Sequence, residues 1–419
     1  MDIFSRIIRF RFLRLRHIVL GVFLSGSLSA AYLGIPGFSV INYDAQEGND
    51  GAIAVEPEAE PEFVVTHLPT PKPLKAIYMT QCVVGTPSFR SDLVALIEET
   101  ELNAMVIDIK DYSGTIAFPT ENPVLSANAM VSCGARDMRE FIGMLHEKGI
   151  YVIGRITVFQ DPRMTKARPD LAVKKMSDKA VVWKDNKGLN FIEVGARDFW
   201  DYIVELSKES YRIGFDELNF DYVRFPSDGN MKDIYYPFSE ERILANPDTG
   251  KAEVLRDFFA YLHGKLSDPT LYADPNARKK KKAGAVPVLS ADLFGMTMTN
   301  PDDLNIGQIL EYAEPYFDYI APMVYPSHYP NGFNNLSNPN HYPYEVVKFS
   351  MDRGAERLVA ASSTPEKLRP WLQDFDYGGD YDAAEVRAQI QATYDAGLTS
   401  WMLWAPSNRY TKGALFPAE

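Results

Sequence analysis

The sequence predicts an α/β protein built on a (β/α)8 TIM barrel, and three observations predict it. Eight short apolar runs recur between residues 74 and 419. Segments carrying apolar residues at i, i+3, i+4 and i+7 separate them, the pattern of one-sided helices. Several runs end in carboxylates or aromatics, as strands do when their C-terminal ends converge on one mouth.

Residues 1–40 stand apart from this barrel. Arg6, Arg9, Arg11, Arg14 and Arg16 precede an uncharged run from Ile18 to Ile35, about long enough to cross a bilayer. Positive charges stay on the cytoplasmic side, so the segment predicts a signal anchor with the rest of the chain in the extracytoplasmic space. Ser29 and Ala31 also fit a small-x-small cleavage pattern, which keeps open a secreted form. Residues 41–73 then carry Asp44, Glu47, Asp50, Glu56, Glu58, Glu60 and Glu62 among Pro57, Pro61, Pro69, Pro71 and Pro73. Like charges and prolines favour an extended, disordered spacer.

The barrel domain is assigned to residues 74–419. Its expected strands are Ala76 to Gln81, Ala104 to Ile109, Tyr151 to Val158, Phe215 to Tyr222, Pro287 to Phe294, Tyr319 to Tyr325, Leu368 to Phe375 and Ser400 to Trp404. Helical stripes lie between them. Met138, Phe141, Ile142 and Leu145 lead to Gly149; Phe199, Tyr202, Ile203 and Leu206 lead to Gly214; Val254, Leu255, Phe258, Phe259 and Leu262 form a third. Strand and helix in alternation indicate a parallel sheet covered by helices, and eight units indicate closure.

Composition narrows the function. The chain has 419 residues, 24% charged and 46% hydrophobic, an ordinary globular balance. A net charge of −13 opposes binding to a polyphosphate backbone, so nucleic acid is not an expected partner. Neither GxGxxG nor GxxxxGK[ST] occurs, and the phosphate loops of the common nucleotide-binding folds are missing with them. Two cysteines and six scattered histidines suggest neither a structural metal site nor any other cofactor. Cys82 and Cys133 both follow strand ends on the same face, a placement open either to a disulfide outside the cytoplasm or to two free thiols.

The candidate site comes from strand parity. Along the fourth strand, Leu218 and Phe220 face the helices, leaving Glu217, Asn219 and Asp221 inward. The fifth puts Asp292 inward at its end, and the second brings Asp108 and Lys110. A carboxylate inside a barrel is costly unless paired or functional. Two carboxylates across a sugar are the minimum apparatus for glycosidic cleavage, one protonating the leaving oxygen and the other attacking or activating water. Asp221 is the candidate nucleophile or base, with Arg224 and Lys110 expected to keep it charged. Asp292, flanked by Leu289, Ala291, Leu293 and Phe294, is the candidate acid, its pKa raised by that apolar setting. Glu217, a layer deeper, is read as a buried partner for Arg155. Asp108 and Lys110 either hold sugar hydroxyls or neutralise each other. Arg155, Arg224, Tyr325, His328, Gln373, Asp374 and Trp404 complete the expected substrate-binding set, Asp374 as a stabiliser of oxocarbenium-like charge.

With these residues in view, the chain resembles the "putative glycosyl hydrolase domain" family of bacterial TIM-barrel proteins. The resemblance rests on Val106-Ile107-Asp108-Ile109-Lys110-Asp111 with Ser113-Gly114, on Gly214 to Glu217 running through Phe220-Asp221-Tyr222-Val223-Arg224-Phe225-Pro226, on Ala291-Asp292-Leu293-Phe294-Gly295, on Leu368 to Phe375, and on Trp401-Met402-Leu403-Trp404. It spans about residues 74 to 415 and implies a barrel and sugar hydrolysis as a class. A more distant similarity to the alpha-amylase clan implies carboxylates after strands four, five and seven, where this chain has Asp221, Asp292 and Asp374. It departs from that clan in having Asn219 two residues before the nucleophile and Asp292 in place of a Glu.

The expected protein is therefore a membrane-anchored, monomeric glycoside hydrolase acting on a polysaccharide or cell-wall glycan. Two alternatives accompany it. One is a catalytically silent glycan-binding barrel. The other is a metal-dependent carbohydrate hydrolase or deacetylase with Asp108, Asp111 and Asp221 as oxygen ligands.

Overall fold

The computed structural model describes residues 64–272 and 285–418. The expected anchor, most of the acidic segment and the basic run Arg278 to Lys282 lie outside the described residues. Among those described, no helix is long and apolar enough to cross a membrane.

Eight parallel strands close into a barrel in sequence order. They are β1 (Lys75–Met79), β2 (Ala104–Lys110), β3 (Tyr151–Thr157), β4 (Glu217–Asp221), β5 (Val288–Phe294), β6 (Tyr319–Met323), β7 (Trp371–Gln373) and β8 (Trp401–Trp404). Each boundary falls within three residues of its expected run, with the largest difference at the start of β7. The three predicted helical stripes are buried faces of the helices Met138–Glu147, Arg197–Ile213 and Gly250–Leu266. The second of these ends at Gly214, whose φ of +122° brings the chain back toward β4; a Cβ there would meet Ile142 Cγ2 at 2.9 Å. The β5–β6 connection is the irregular one, holding only the short helix Leu310–Ala313 and 3-10 turns.

Period-two alternation sorts the side chains into two apolar groups. Outward residues such as Ile107, Val152, Leu218, Phe220 and Leu293 pack under helical Phe141, Ile142, Phe199, Ile203, Phe258 and Phe259. Each such large side chain stabilises by about 1.5–3 kcal/mol when fully buried. Inward residues form a smaller cluster that includes Ala76, Val106, Ile153, Ala321 and Met402. The inward faces carry few large aliphatics above this level, which leaves room for polar groups.

Residues 64–73, the end of the segment expected to be a spacer, are packed against the strand N-termini. Leu68 lies against the inner cluster, its N–H donates to Asp216 Oδ1 at 2.7 Å, and Thr70 Oγ1 is 3.1 Å from the Tyr151 hydroxyl. His67 stacks on Tyr211 at 4.0 Å. The packed unit thus begins ahead of Leu74. The acidic residues all precede this stretch, so the charge argument for an extended chain never applied to it.

Candidate active site

Register fixes which inward residues share a level. Asp108 pairs with Arg155 across β2 and β3, Asn219 with Ser290 across β4 and β5, and Asp292 with Ala321 across β5 and β6. Arg155 is the hub. Its Nη1 donates to Asp108 Oδ1 at 2.6 Å, and its Nε donates to Asp221 Oδ2 at 3.0 Å while Nη2 bonds the same oxygen. The Nε also lies 3.8 Å from Asp292 Oδ2. Tyr78, inward on β1, donates its hydroxyl to Asp108 Oδ2 and stacks on Trp404 at 4.0 Å. The guanidinium sits 5.0 Å from the Trp404 ring centroid, within cation–π range.

The two candidate catalytic carboxyls have opposite surroundings. Asp221 receives two N–H groups from Arg155 and a third from the backbone of Tyr222. Tyr222 holds a φ of +52°, a left-handed conformation costing about 1–3 kcal/mol in a residue with a bulky side chain. That turn is what brings its N–H onto Asp221 at the strand end. Asp292 receives neutral donors on one oxygen only, Asn219 Nδ2 at 2.9 Å and Trp371 Nε1 at 2.8 Å. Its Oδ2 has no hydrogen-bond partner. Burial first, then the charge of Asp221, push the Asp292 carboxyl well above the usual carboxylate range, against the opposing pull of Arg155. Burial likewise raises Asp108, to about 6.

Both carboxyl oxygens lie near one Arg155 nitrogen, at 3.0 and 3.8 Å. That caps their separation near the lower edge of the inverting range of about 6.5–9.5 Å and allows the retaining spacing of about 5–5.5 Å.

A cavity of about 380 Å³ opens at the strand C-terminal ends, lined by Asp221, Tyr222, Arg224, Phe294, Met323, Tyr325 and His328 among others. Asp292 does not line it. Phe294 and Met323, two residues further along β5 and β6 and paired in register, stand between its level and the opening. Among the described residues, no group of three or more His, Cys, Asp or Glu side chains is arranged to hold a metal ion. Arg155 bonds both Asp108 and Asp221, and Asp111 accepts from its near neighbour Ser113.

The sequence pattern of the family described as "Putative glycosyl hydrolase domain" matches residues 76–410. The chain belongs to that family. Its enzyme class is accordingly glycoside hydrolase. Among solved structures, the glycoside hydrolase domain of PgaB (BpsB) from Bordetella bronchiseptica is similar over 80% of this chain and 95% of that one, with 14% identity and a TM-score of 0.56. At that identity the likeness shows a shared barrel fold. A hypothetical protein from Ruminiclostridium thermocellum ATCC 27405 is 29% identical over 52% of this chain and 96% of its own, with a TM-score of 0.41. No curated protein sequence matches.

Several expected roles change in the folded chain. The cation beside Asp221 is Arg155; Arg224 instead donates to Phe225 O at 3.1 Å and Ser227 Oγ at 3.0 Å. Lys110 is fully buried against Asp161, 2.9 Å away, and donates to Thr157 O at 2.6 Å. A register shift between Asp108 and Lys110 breaks the alternation there and turns Lys110 toward Phe199 on the helical layer, away from any sugar and from Asp108. Glu217 pairs with Arg369 at 2.9 Å instead of Arg155, which sits one level higher. Asp374 is buried and accepts from Thr411 N and Oγ1. Gln373 faces inward but is committed to the Ser327 N–H and hydroxyl and to Phe375 O. Asp108, bonded to Arg155 and Tyr78, is buried and does not line the cavity. Of the expected substrate-binding set, Arg224, Tyr325 and His328 line the cavity.

Sequence reasoning passed over Tyr78 and the donor role of the Trp371 indole. The first was findable, since Ala76 and Tyr78 share the inward parity of β1. The second was not, because a hydrogen bond between β5 and β7 depends on barrel closure.

Proposed function

We propose that this protein is a membrane-anchored, extracytoplasmic glycoside hydrolase that cleaves a polysaccharide or cell-wall glycan, with Asp221 as nucleophile or base and Asp292 as proton donor. One observation carries the reading: two carboxyls face a single guanidinium, one in an ion pair with it and the other hydrogen-bonded by neutral donors on one oxygen with its second oxygen unbonded. Pairs of acids whose surroundings push their protonation apart are the arrangement that acid-base cleavage of a glycoside needs. Arg155 orients Asp221. The Cys82–Cys133 disulfide, with Cα atoms 4.9 Å apart, supports an oxidising compartment, in keeping with the arginine block and apolar run of residues 6–35.

The full chain assayed on a panel of soluble polysaccharides tests the chemistry. Asp221→Asn, isosteric and still able to accept from Arg155, should abolish release of reducing ends while leaving the melting temperature within a few degrees. Full activity in that variant ends the assignment. Protease protection in spheroplasts tests the topology: the barrel should be cleaved from outside, and recovery of the full chain in the medium would indicate secretion instead.

The position of Asp292 off the cavity wall favours one other reading, a glycan-binding barrel without turnover. Saturable binding of a polysaccharide with no hydrolysis by the unmodified chain would select it.

A further inference from the structure

A second cavity, of about 560 Å³, lies at the same end of the barrel beyond β7 and β8, lined by Asp374, Phe375, Tyr377, Tyr381, Pro406 and Arg409 among others. Its wall adjoins that of the cavity at Asp221 through aromatic rings. Tyr325, which walls the Asp221 cavity, meets Phe375 edge-on at 5.7 Å, and His328, at the lip of that cavity, lies 6.2 Å from the Tyr377 ring. Tyr377 is 64% exposed.

The loop that carries this ring is held in place. Asn340 Nδ2 donates to Tyr377 O at 2.7 Å, Tyr381 donates its hydroxyl to Asn340 Oδ1 at 3.0 Å, and Asp376 Oδ1 accepts from Tyr381 N at 2.8 Å. Asp374 anchors the opposite wall through Thr411. Such a pinned aromatic face loses little entropy on binding. Flat rings flanked by hydrogen-bonding groups suit the apolar face and hydroxyl rim of a sugar, whereas a protein partner would want a wider dry patch.

We infer that Tyr377 and Phe375 form a distal sugar subsite, so that the substrate is a chain of several sugars, one part in the Asp221 cavity and the next stacked on the β7–β8 platform. This deepens the hydrolase reading and rests on it for the identity of the first cavity. The occupant is the continuing glycan, because the platform adjoins that cavity through two ring contacts.

Affinity electrophoresis of the full chain in gels containing xylan, carboxymethyl cellulose, glycol chitin or pullulan tests it. At least one polymer should retard the protein. On that polymer Tyr377→Ala should weaken the apparent Kd by roughly three- to tenfold, the loss expected for one stacked ring, while Tyr377→Phe stays near the parent. Asp221→Asn separates the two claims: retardation kept with hydrolysis lost supports both, and retardation kept with hydrolysis also kept sinks the catalytic assignment alone. Retardation in none of the four gels, or equal retardation of Tyr377→Ala and parent, overturns the subsite. Tyr377 is exposed, so its truncation leaves the fold intact, which a thermal melt of each variant verifies.

Discussion

Trp371 Nε1 donates a hydrogen bond to Asp292 Oδ1 at 2.8 Å, reaching from β7 to β5 inside the barrel. That donor opposes the burial that raises the Asp292 pKa. If Asp292 is the acid, its pKa sets the alkaline limb of kcat/KM. Trp371→Phe should move that limb to higher pH, because a donor that stabilises the charged form is gone. An unmoved alkaline limb in the pH–rate profile would remove Asp292 from the role of proton donor.

Arg155 neutralises two buried carboxylates at once. Replacing it by Met leaves Asp108 and Asp221 without their cation inside the barrel, a loss of about 3–5 kcal/mol. Urea denaturation at neutral pH should show this as a lower midpoint, partly restored at acid pH where the orphaned carboxyls take up protons. A midpoint unchanged at pH 7 would mean that water or rearrangement replaces the guanidinium.

Glu193 provides a pH-dependent term remote from the sugar cavity. It is fully buried, bonded to the Ser239 hydroxyl and the Gly195 N–H, and burial pushes its carboxyl up to about 7. An acid raised on folding binds its proton more tightly in the native state, so its contribution is fully present below the unfolded pKa of about 4.3 and is lost as pH rises through about 7. The loss amounts to roughly 3 kcal/mol. Glu193→Gln should flatten the fall in stability between pH 5 and 8, with urea midpoints across that range as the readout; an identical slope in parent and variant would assign the dependence elsewhere.

The disulfide closes a loop between residues 51 apart in sequence, Cys82 after β1 and Cys133 in the β2–β3 connection. Its removal should cost about 2–4 kcal/mol. Paired Ser substitutions, or dithiothreitol on the parent, should lower the thermal midpoint equally, and reductant should leave the Ser pair unmoved. Two free thiols titrating in the oxidised native protein would contradict the pairing.

The barrel was readable because strand alternation and helical stripes are local signals. The apolar runs Ala104 to Ile109 and Tyr151 to Val158 needed no partner to be recognised, and the inward parity of Asp221 and Asp292 followed from counting. Parity failed at Lys110, where a register shift between neighbouring strands interrupts it. The same counting did not reveal how far Asp292 lies from open solvent, since depth depends on Phe294 and Met323 from two strands closing over it. Nor did it find Trp371 as a donor to Asp292.

The chain order of polar and apolar residues was enough to establish eight parallel units, their outward faces and a ring of interior carboxyls, because those features repeat within a few residues. Folding chose the partners. Arg155 took Asp108 and Asp221, Arg369 took Glu217, and Asp374 turned to Thr411, since an ion pair inside a closed barrel is set by three-dimensional level and distance, and neighbours in the chain such as Arg224 have no privileged access to it.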